Sequence, residues 1–174
     1  MKKVYIKTFG CQMNEHDSAR ISSILASIGY LPVDTPELAD LVVINTCSVR
    51  ENPENKVYSL LGKLRPIKRK KPELVVAVCG CVAQQEGERI LEREPIVDLV
   101  FGPDRYFNLP EFLSRVESGE RVCDTSRVYP KPPIEDFIPD EWIEKGHREG
   151  IKAYIVISKG CNNRCSFCIV PRTR

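Results

Sequence analysis

The chain has 174 residues, of which 42% are hydrophobic, and its 26 lysines and arginines nearly balance 24 aspartates and glutamates, for a formal charge of +2. That balance points to no particular nucleic-acid or membrane partner and forbids neither. No stretch approaches the ~18 apolar residues of a membrane helix and the start is too interrupted for a signal peptide, so we expect a cytoplasmic protein with no membrane partner. In that compartment, eight cysteines indicate metal binding or catalysis rather than disulfides.

Strands and helices alternate along the first part of the chain. Continuous apolar runs predict buried strands, and apolar residues at helical spacing predict the helices between them. In chain order, the sequence predicts a strand over 3–8, a helix that Asn14 caps and Gly29 ends, a strand over 41–45 and a helix that Asn52 caps and Pro66 ends. It then predicts a strand within 73–84 that ends at Cys79–Cys81, a short helix before Pro95, a strand over 96–102 and a helix over 112–116.

This alternation predicts an α/β fold with an open, doubly wound parallel sheet of the Rossmann or flavodoxin type over residues 1–123. The pattern does not determine the order of the strands. Residues 124–150 are rich in proline and predict a connector. Residues 151–174 then begin a second domain, with a buried strand over 151–158 that runs into a group of cysteines.

Three cysteines follow the predicted strands of the first domain. Cys11, Cys47 and Cys81 each lie at the carboxyl end of a strand, and these ends share one edge of a parallel sheet, where ligand crevices form. We therefore expect the three thiols to meet there, although three unrelated buried cysteines remain an alternative. Cys79 shares a predicted strand face with Cys81. We favour Cys81 as the ligand because it is nearer the strand end, and we assign Cys79 to the core.

A second group of cysteines has the spacing CxxxCxxC, with Cys161, Cys165 and Cys168 in "GCNNRCSFC". Three thiolates so close in sequence can hold one iron–sulfur cluster and leave its fourth iron open to a cofactor. Zinc is the alternative, but structural zinc sites normally have four ligands, and His147 is the only histidine nearby.

Four segments of the sequence resemble those of a known family. "GCNNRCSFCIVPRTR", together with "FGCQMNEHDS", "INTCSVRENPENK" and "CGCVAQ", is similar to the radical S-adenosylmethionine methylthiotransferases. Within the family, residues 12–14 are most similar to the branch that modifies isopentenyl-adenosine in tRNA. The alternatives are siblings that act on threonylcarbamoyl-adenosine in tRNA or on a ribosomal protein, or a zinc-stabilised binding module.

The resemblance implies two 4Fe-4S clusters. One, on Cys161, Cys165 and Cys168, would bind S-adenosylmethionine and cleave it to a radical, and one, on the three strand-end cysteines, would carry the sulfur to be inserted. The implied reaction is methylthiolation at C2 of isopentenyl-adenosine beside the anticodon, with flavodoxin or ferredoxin as electron donor. The catalytic residues and the oligomeric state are not indicated. Since a radical enzyme's barrel needs many more residues after this motif, we expect a truncated chain that is inactive alone.

Four further features are less specific. The basic segment 65–73 could meet tRNA phosphates, but a solvated helix end is favoured. We expect His16 to be an exposed polar residue, Cys123 to pack in the core and Trp142 to anchor the connector onto a domain.

Overall fold

A computed structural model describes residues 1–48, 53–127, 148–149, 152–153 and 156–174. Its body is a six-stranded sheet. The strands are β1 (Lys2–Phe9), β2 (Tyr30–Pro32), β3 (Leu41–Thr46), β4 (Val75–Gly80), β5 (Leu99–Phe101) and β6 (Val122–Asp124). They lie in the order β2-β1-β3-β4-β5-β6, and every neighbouring pair is parallel. The predicted open parallel sheet is therefore confirmed.

The helices lie on both faces of the sheet. They are α1 (Gln12–Ser27), α2 (Pro53–Lys70), α3 (Cys81–Glu86), α4 (Glu88–Arg93), α5 (Leu109–Glu117) and α6 (Val170–Thr173), with short 3₁₀ turns at Pro36–Leu38 and Tyr106–Asn108. A separate antiparallel pair joins β7 (Arg148–Glu149) to β8 (Lys152–Ala153). None of the described helices is long and apolar enough to cross a membrane.

Two apolar cores result from this layering. α1 and α5 cover one face, where Leu25 and Phe112 are buried, and α2, α3 and α4 cover the other, where Leu61 and Ile90 are buried. All six positions of β3 are buried, as expected for a central strand covered on both faces. The helices on both faces hold the sheet in place and thereby position the strand ends that lead into the cysteines.

Two predicted helix boundaries are wrong. Cys11, not Asn14, occupies the N-cap of α1, and Asn14 lies inside the helix with its side chain buried. Helix α2 does not end at Pro66 but continues to Lys70. Proline removes one helical hydrogen bond, but tertiary contacts hold the next turn: Ile67 packs against the core and Lys68 Nζ lies 2.6 Å from a carboxylate oxygen of Asp98.

The strand predicted within 73–84 ends where the sequence indicated, between Cys79 and Cys81, but the shared strand face predicted for Cys79 and Cys81 is wrong. β4 ends at Gly80, and Cys81 begins α3, so Cys81 and Cys79 do not share a strand face. The fourth predicted strand, over 96–102, is reduced to β5, and the sequence pattern did not predict β2.

The division into 1–123, 124–150 and 151–174 stays a prediction. Residues 128–147 and 150 lie outside the described residues, as do Asn52, Trp142 and His147. Of the strand predicted over 151–158, the described part contains β8, whereas 156–158 are not in a strand.

Candidate functional site

The crevice lies at the carboxyl ends of three adjacent strands, β1, β3 and β4. In the register of the sheet, Phe9 pairs with Thr46 and Thr46 pairs with Gly80. Cys47 and Cys81 therefore come directly after two paired residues, on neighbouring strands about 4.8 Å apart. Cys11 comes two residues after Phe9, one residue further along the chain than the other two cysteines. The chain order reverses between β1 and β3, and such switch points are where open α/β sheets bind ligands.

The three predicted thiols thus share one edge of the sheet. Cys47 and Cys81 are buried and Cys11 is partly exposed, and none of the eight cysteines forms a disulfide. Within the described residues, however, no three His, Cys, Asp or Glu side chains lie close enough together to hold a metal ion. The fold brings the thiols to one crevice without assembling them into a finished ligand set.

Gly80 allows β4 to turn abruptly into α3. Its φ is +90°, and a Cβ at this position would lie 2.4 Å from the backbone oxygen of Thr46 and 2.5 Å from Oδ1 of Asn45. Only glycine tolerates both this conformation and this approach. The tight turn sets Cys81 beside the end of β3, which leads to Cys47.

A buried polar network ties α1 to the end of β3. Asn14 Nδ2 donates to Asn45 Oδ1 (2.9 Å) and to the backbone oxygen of Thr46 (2.8 Å). Asn45 Nδ2 donates to the backbone oxygen of Asn14 and to Ser18 Oγ, both at 2.9 Å. Since every one of these buried amide groups has a partner, the network fixes the loop around Cys11, whose Sγ donates to Asn14 Oδ1 at 3.3 Å.

A buried arginine lies beside Cys81. Arg174 Nε donates to Cys81 Sγ at 3.3 Å, and its Nη1 donates to Asp17 Oδ2 at 2.6 Å. Burial alone would raise the pKa of Asp17, but neighbouring His16 and the charge of Arg174 outweigh it and hold that pKa below its ordinary value. Burial would lower the pKa of Arg174, but the charge of Asp17 raises it instead. The pair therefore remains ionised inside the crevice.

Cys79 has a different environment. It is buried in the core on the α1 side of the sheet, and its backbone oxygen accepts a hydrogen bond from Thr46 Oγ1 at 2.6 Å. Burial, followed by the charge of Asp17, raises the pKa of the Cys79 thiol well above its ordinary value. Its placement agrees with the predicted role in packing.

The CxxxCxxC residues form an exposed loop. Cys161 and Cys165 are exposed and Cys168 is half-buried. The loop follows Gly160, whose φ is +80°, and a hydrogen bond from the backbone N–H of Cys168 to the oxygen of Cys165 (3.1 Å) closes a turn. Phe167 within this turn is 91% exposed. The loop exposes two of its three cysteines, where an incoming cluster can reach them.

Flanking contacts dock this loop segment onto the sheet domain. Lys159 Nζ lies 2.7 Å from Asp104 Oδ1 in a buried ion pair. On the other side of the loop, Arg127 donates to the backbone oxygen of Pro171 at 2.9 Å, and α6 packs against α3. Both groups of cysteines therefore belong to the same side of the molecule.

Sequence reasoning missed the charged pair in the crevice. Local pattern indicates Asp17 only as an acidic residue near the start of α1, and it gives no signal for Arg174. The expectation that His16 is exposed is wrong: it is buried, with Nδ1 3.9 Å from Asp17 Oδ1, too far for a hydrogen bond.

The basic segment 65–73 is not an open cationic surface. Three of its cations are paired with carboxylates: Arg65 with Glu94, Lys68 with Asp98 and Lys71 with Asp40. This favours the interpretation as a helix end over a tRNA contact. Cys123 is half-buried, and burial, followed by nearby Glu88, raises its pKa to about 11, in agreement with a packing role.

Comparison with known proteins gives one matching family model and many similar sequences. Residues 3–102 match the model described as Uncharacterized protein family UPF0004. Over 173 residues, the chain is 47% identical to the tRNA-2-methylthio-N(6)-dimethylallyladenosine synthase of Cereibacter sphaeroides, covering 99% of this chain and 38% of the relative. Enzymes of the same name from Chromobacterium violaceum (48% over 176 residues, 100% of this chain) and a Ruegeria species (44% over 178 residues, 99% of this chain) are each covered over 38% of their length.

The chain thus spans about 38% of the length of these relatives. The resemblance to the tRNA methylthiotransferase MiaB, which residues 12–14 favoured over its siblings, is confirmed by these similarities. Because the family model covers more than half of the chain, the chain belongs to the family described as UPF0004.

Proposed function

We propose that this chain is part of a tRNA methylthiotransferase that adds a methylthio group at C2 of isopentenyl-adenosine, also called dimethylallyladenosine, beside the anticodon. The observation that carries the proposal is the placement of Cys11, Cys47 and Cys81 directly after adjacent parallel strands at the switch point of the sheet, on the side where the CxxxCxxC segment docks. The name shared by relatives 44–48% identical to almost the whole chain supports this substrate over the sibling substrates.

The crevice thiols fit a 4Fe-4S cluster by their chemistry. Clusters of this kind are held by cysteine thiolates, and three thiols lie on loops from adjacent strands. Two of them are buried and the third lies at the N-terminus of α1, whose partial positive charge favours an anionic cluster. Cys11, Cys47 and Cys81 would therefore hold the first cluster, with one iron left without a protein ligand.

Cys161, Cys165 and Cys168 would hold the second cluster. Their loop carries no disulfide, and its closing turn brings Cys165 and Cys168 close together. When bound, this cluster would supply the electron that cleaves S-adenosylmethionine, and the crevice cluster would carry the sulfur for transfer. A second S-adenosylmethionine would supply the methyl group.

The residues of this chain contribute positioning. The Asn14–Asn45 network fixes the loop that carries Cys11, and the Gly80 turn places Cys81. Such a preorganised scaffold suits chemistry that protein side chains cannot perform alone.

The partners follow from the same proposal. The substrate would be tRNA, the electron donor would be flavodoxin or ferredoxin, and the protein would act in the cytoplasm. A zinc-stabilised binding module is the alternative function class, and no observation in the described part of the chain favours it.

A chimera tests the proposed reaction. Residues 1–174 would replace the matching segment of the Chromobacterium violaceum relative in cells that lack this activity, and tRNA nucleosides would be measured by mass spectrometry. We expect 2-methylthio-dimethylallyladenosine from the chimera and none from its Cys81→Ala form. Iron-loaded, folded chimera that leaves dimethylallyladenosine unmodified would contradict the proposed substrate.

A further inference from the structure

Arg174 is a buried cation that belongs to the CxxxCxxC segment but contacts the other group of cysteines. It is 7% exposed and Asp17 is 4% exposed. Its Nε lies 3.3 Å from Cys81 Sγ and its Nη1 lies 2.6 Å from Asp17 Oδ2. A single side chain thus joins a proposed cluster ligand to a fixed carboxylate.

The third nitrogen of this guanidinium, Nη2, is the atom without a partner in the part of the chain that the structure describes. Arg174 Nη2 is buried and has no hydrogen-bond partner among the described residues. A buried donor without an acceptor is costly, and native structures rarely retain one unless a ligand or water fills the position. Asp17 is already committed to Nη1, so Nη2 remains to meet an acceptor in the crevice beside Cys81.

Sulfur is the acceptor that the neighbouring chemistry supplies. If Cys81 ligates a cluster, as proposed above, its thiolate and the sulfides of that cluster would be hydrogen-bond acceptors close to the guanidinium of Arg174. Hydrogen bonds and positive charge near cluster sulfurs stabilise the reduced, more negative state. Arginine keeps its charge under all ordinary conditions, and Asp17 restrains its orientation.

On this basis, and resting on the proposed function, we infer that Arg174 is a positioning residue for the crevice cluster: it orients Cys81 Sγ through Nε and donates from Nη2 to a cluster sulfur. Asp17 holds the guanidinium in place. The role belongs to this arginine and not to the segment's basic character in general, because nearby Arg172 is exposed.

The reduction potential of the crevice cluster tests the inference. The parent is residues 1–174 with Cys161, Cys165 and Cys168 changed to alanine, so that only the crevice can hold a cluster. After anaerobic reconstitution, its one-electron reduction would be titrated with dithionite and redox mediators and followed by electron paramagnetic resonance. Arg174→Gln, Arg174→Lys and Arg172→Gln would be compared in this parent.

We expect Arg174→Gln to shift the reduction equilibrium about tenfold toward the oxidised cluster, a potential lower by ~59 mV for one electron. Arg174→Lys, which keeps the charge, should recover part of the shift, and Arg172→Gln should match the parent. Loss of iron from Arg174→Gln alone, with its circular dichroism intact, would likewise support a role in positioning Cys81.

Two results would overturn the inference. One is an unchanged potential in Arg174→Gln with normal iron content, and the other is an equal shift in Arg172→Gln. A parent that takes up no iron would instead contradict the proposed function, so the two failures are distinguishable.

Discussion

Replacing Gly80 by alanine should destabilise the sheet domain more than the same change at Gly29 or Gly62. Gly80 has φ +90° and ψ −156°, a region that costs other residues about 1–3 kcal/mol. The new Cβ would also lie 2.4 Å from the backbone oxygen of Thr46, and relieving such overpacking costs a further 1–3 kcal/mol or so. We expect a loss on the order of 4 kcal/mol, a large part of the ~5–15 kcal/mol typical of a domain.

The two other glycines separate these contributions. Gly29 has φ +87° with nothing within 4 Å of an added Cβ, so Gly29→Ala should show the conformational cost alone, about 1–2 kcal/mol. Gly62 lies inside α2 in open space, and Gly62→Ala should stabilise by about 0.5–1 kcal/mol. The free energies of unfolding would be measured by urea titration with far-ultraviolet circular dichroism. Equal losses in Gly80→Ala and Gly29→Ala would refute the close-approach argument.

Three further substitutions, Cys81→Ala, Cys79→Ala and Asp40→Asn, test the crevice ligand and a surface ion pair. After anaerobic reconstitution, Cys81→Ala should lower bound iron by about four atoms per chain, whereas Cys79→Ala should keep its iron and stay folded at a cost of about 1 kcal/mol; equal iron loss in both would leave the assignment of Cys81 unsupported. The hydrogen bond from Lys71 holds the pKa of Asp40 below its ordinary 3.8, so the pair stabilises the fold above about pH 4 and loses that contribution as the pH falls through the lowered pKa. Asp40→Asn should therefore lower the free energy of unfolding by less than about 1 kcal/mol at pH 7, because both groups are partly exposed. It should also weaken the fall of that free energy as the pH drops below about 4. An unchanged fall at acid pH would contradict this.

The sheet could be predicted because its signal is local. Runs such as 41–45 are apolar at every position, and a strand of that kind has to lie between two helical layers. The placement of Cys11 and Cys47 followed, because strand ends of a parallel sheet share one edge. Neither inference needs knowledge of which strands are neighbours.

The errors arise where tertiary contacts override local preference. Asn14 has the chemistry of a helix cap, but its side chain reaches the end of β3, a partner that only the folded sheet brings near. Pro66 is tolerated because distant Asp98 anchors the following turn. Cys81 looked like a strand residue because nothing in its neighbours shows that Gly80 adopts positive φ.

The crevice pair could not be foreseen for a similar reason. Asp17 and Arg174 are separated by almost the whole chain, and each residue type is ordinary for an exposed position. Their burial depends on the docking of α6 against α3, which periodicity does not encode. The ion pair between Asp17 and Arg174 is therefore visible only in the three-dimensional structure.

Metal analysis of two triple variants tests the central claim most directly. Iron, sulfide and zinc would be counted after anaerobic reconstitution of the chain, of a variant with Cys11, Cys47 and Cys81 changed to alanine, and of one with the CxxxCxxC cysteines changed to alanine. We expect about eight iron atoms and eight sulfides in the parent, about four of each in either variant, and no zinc. Full parental iron in either variant, or zinc in place of iron at the CxxxCxxC loop, would contradict a two-cluster enzyme.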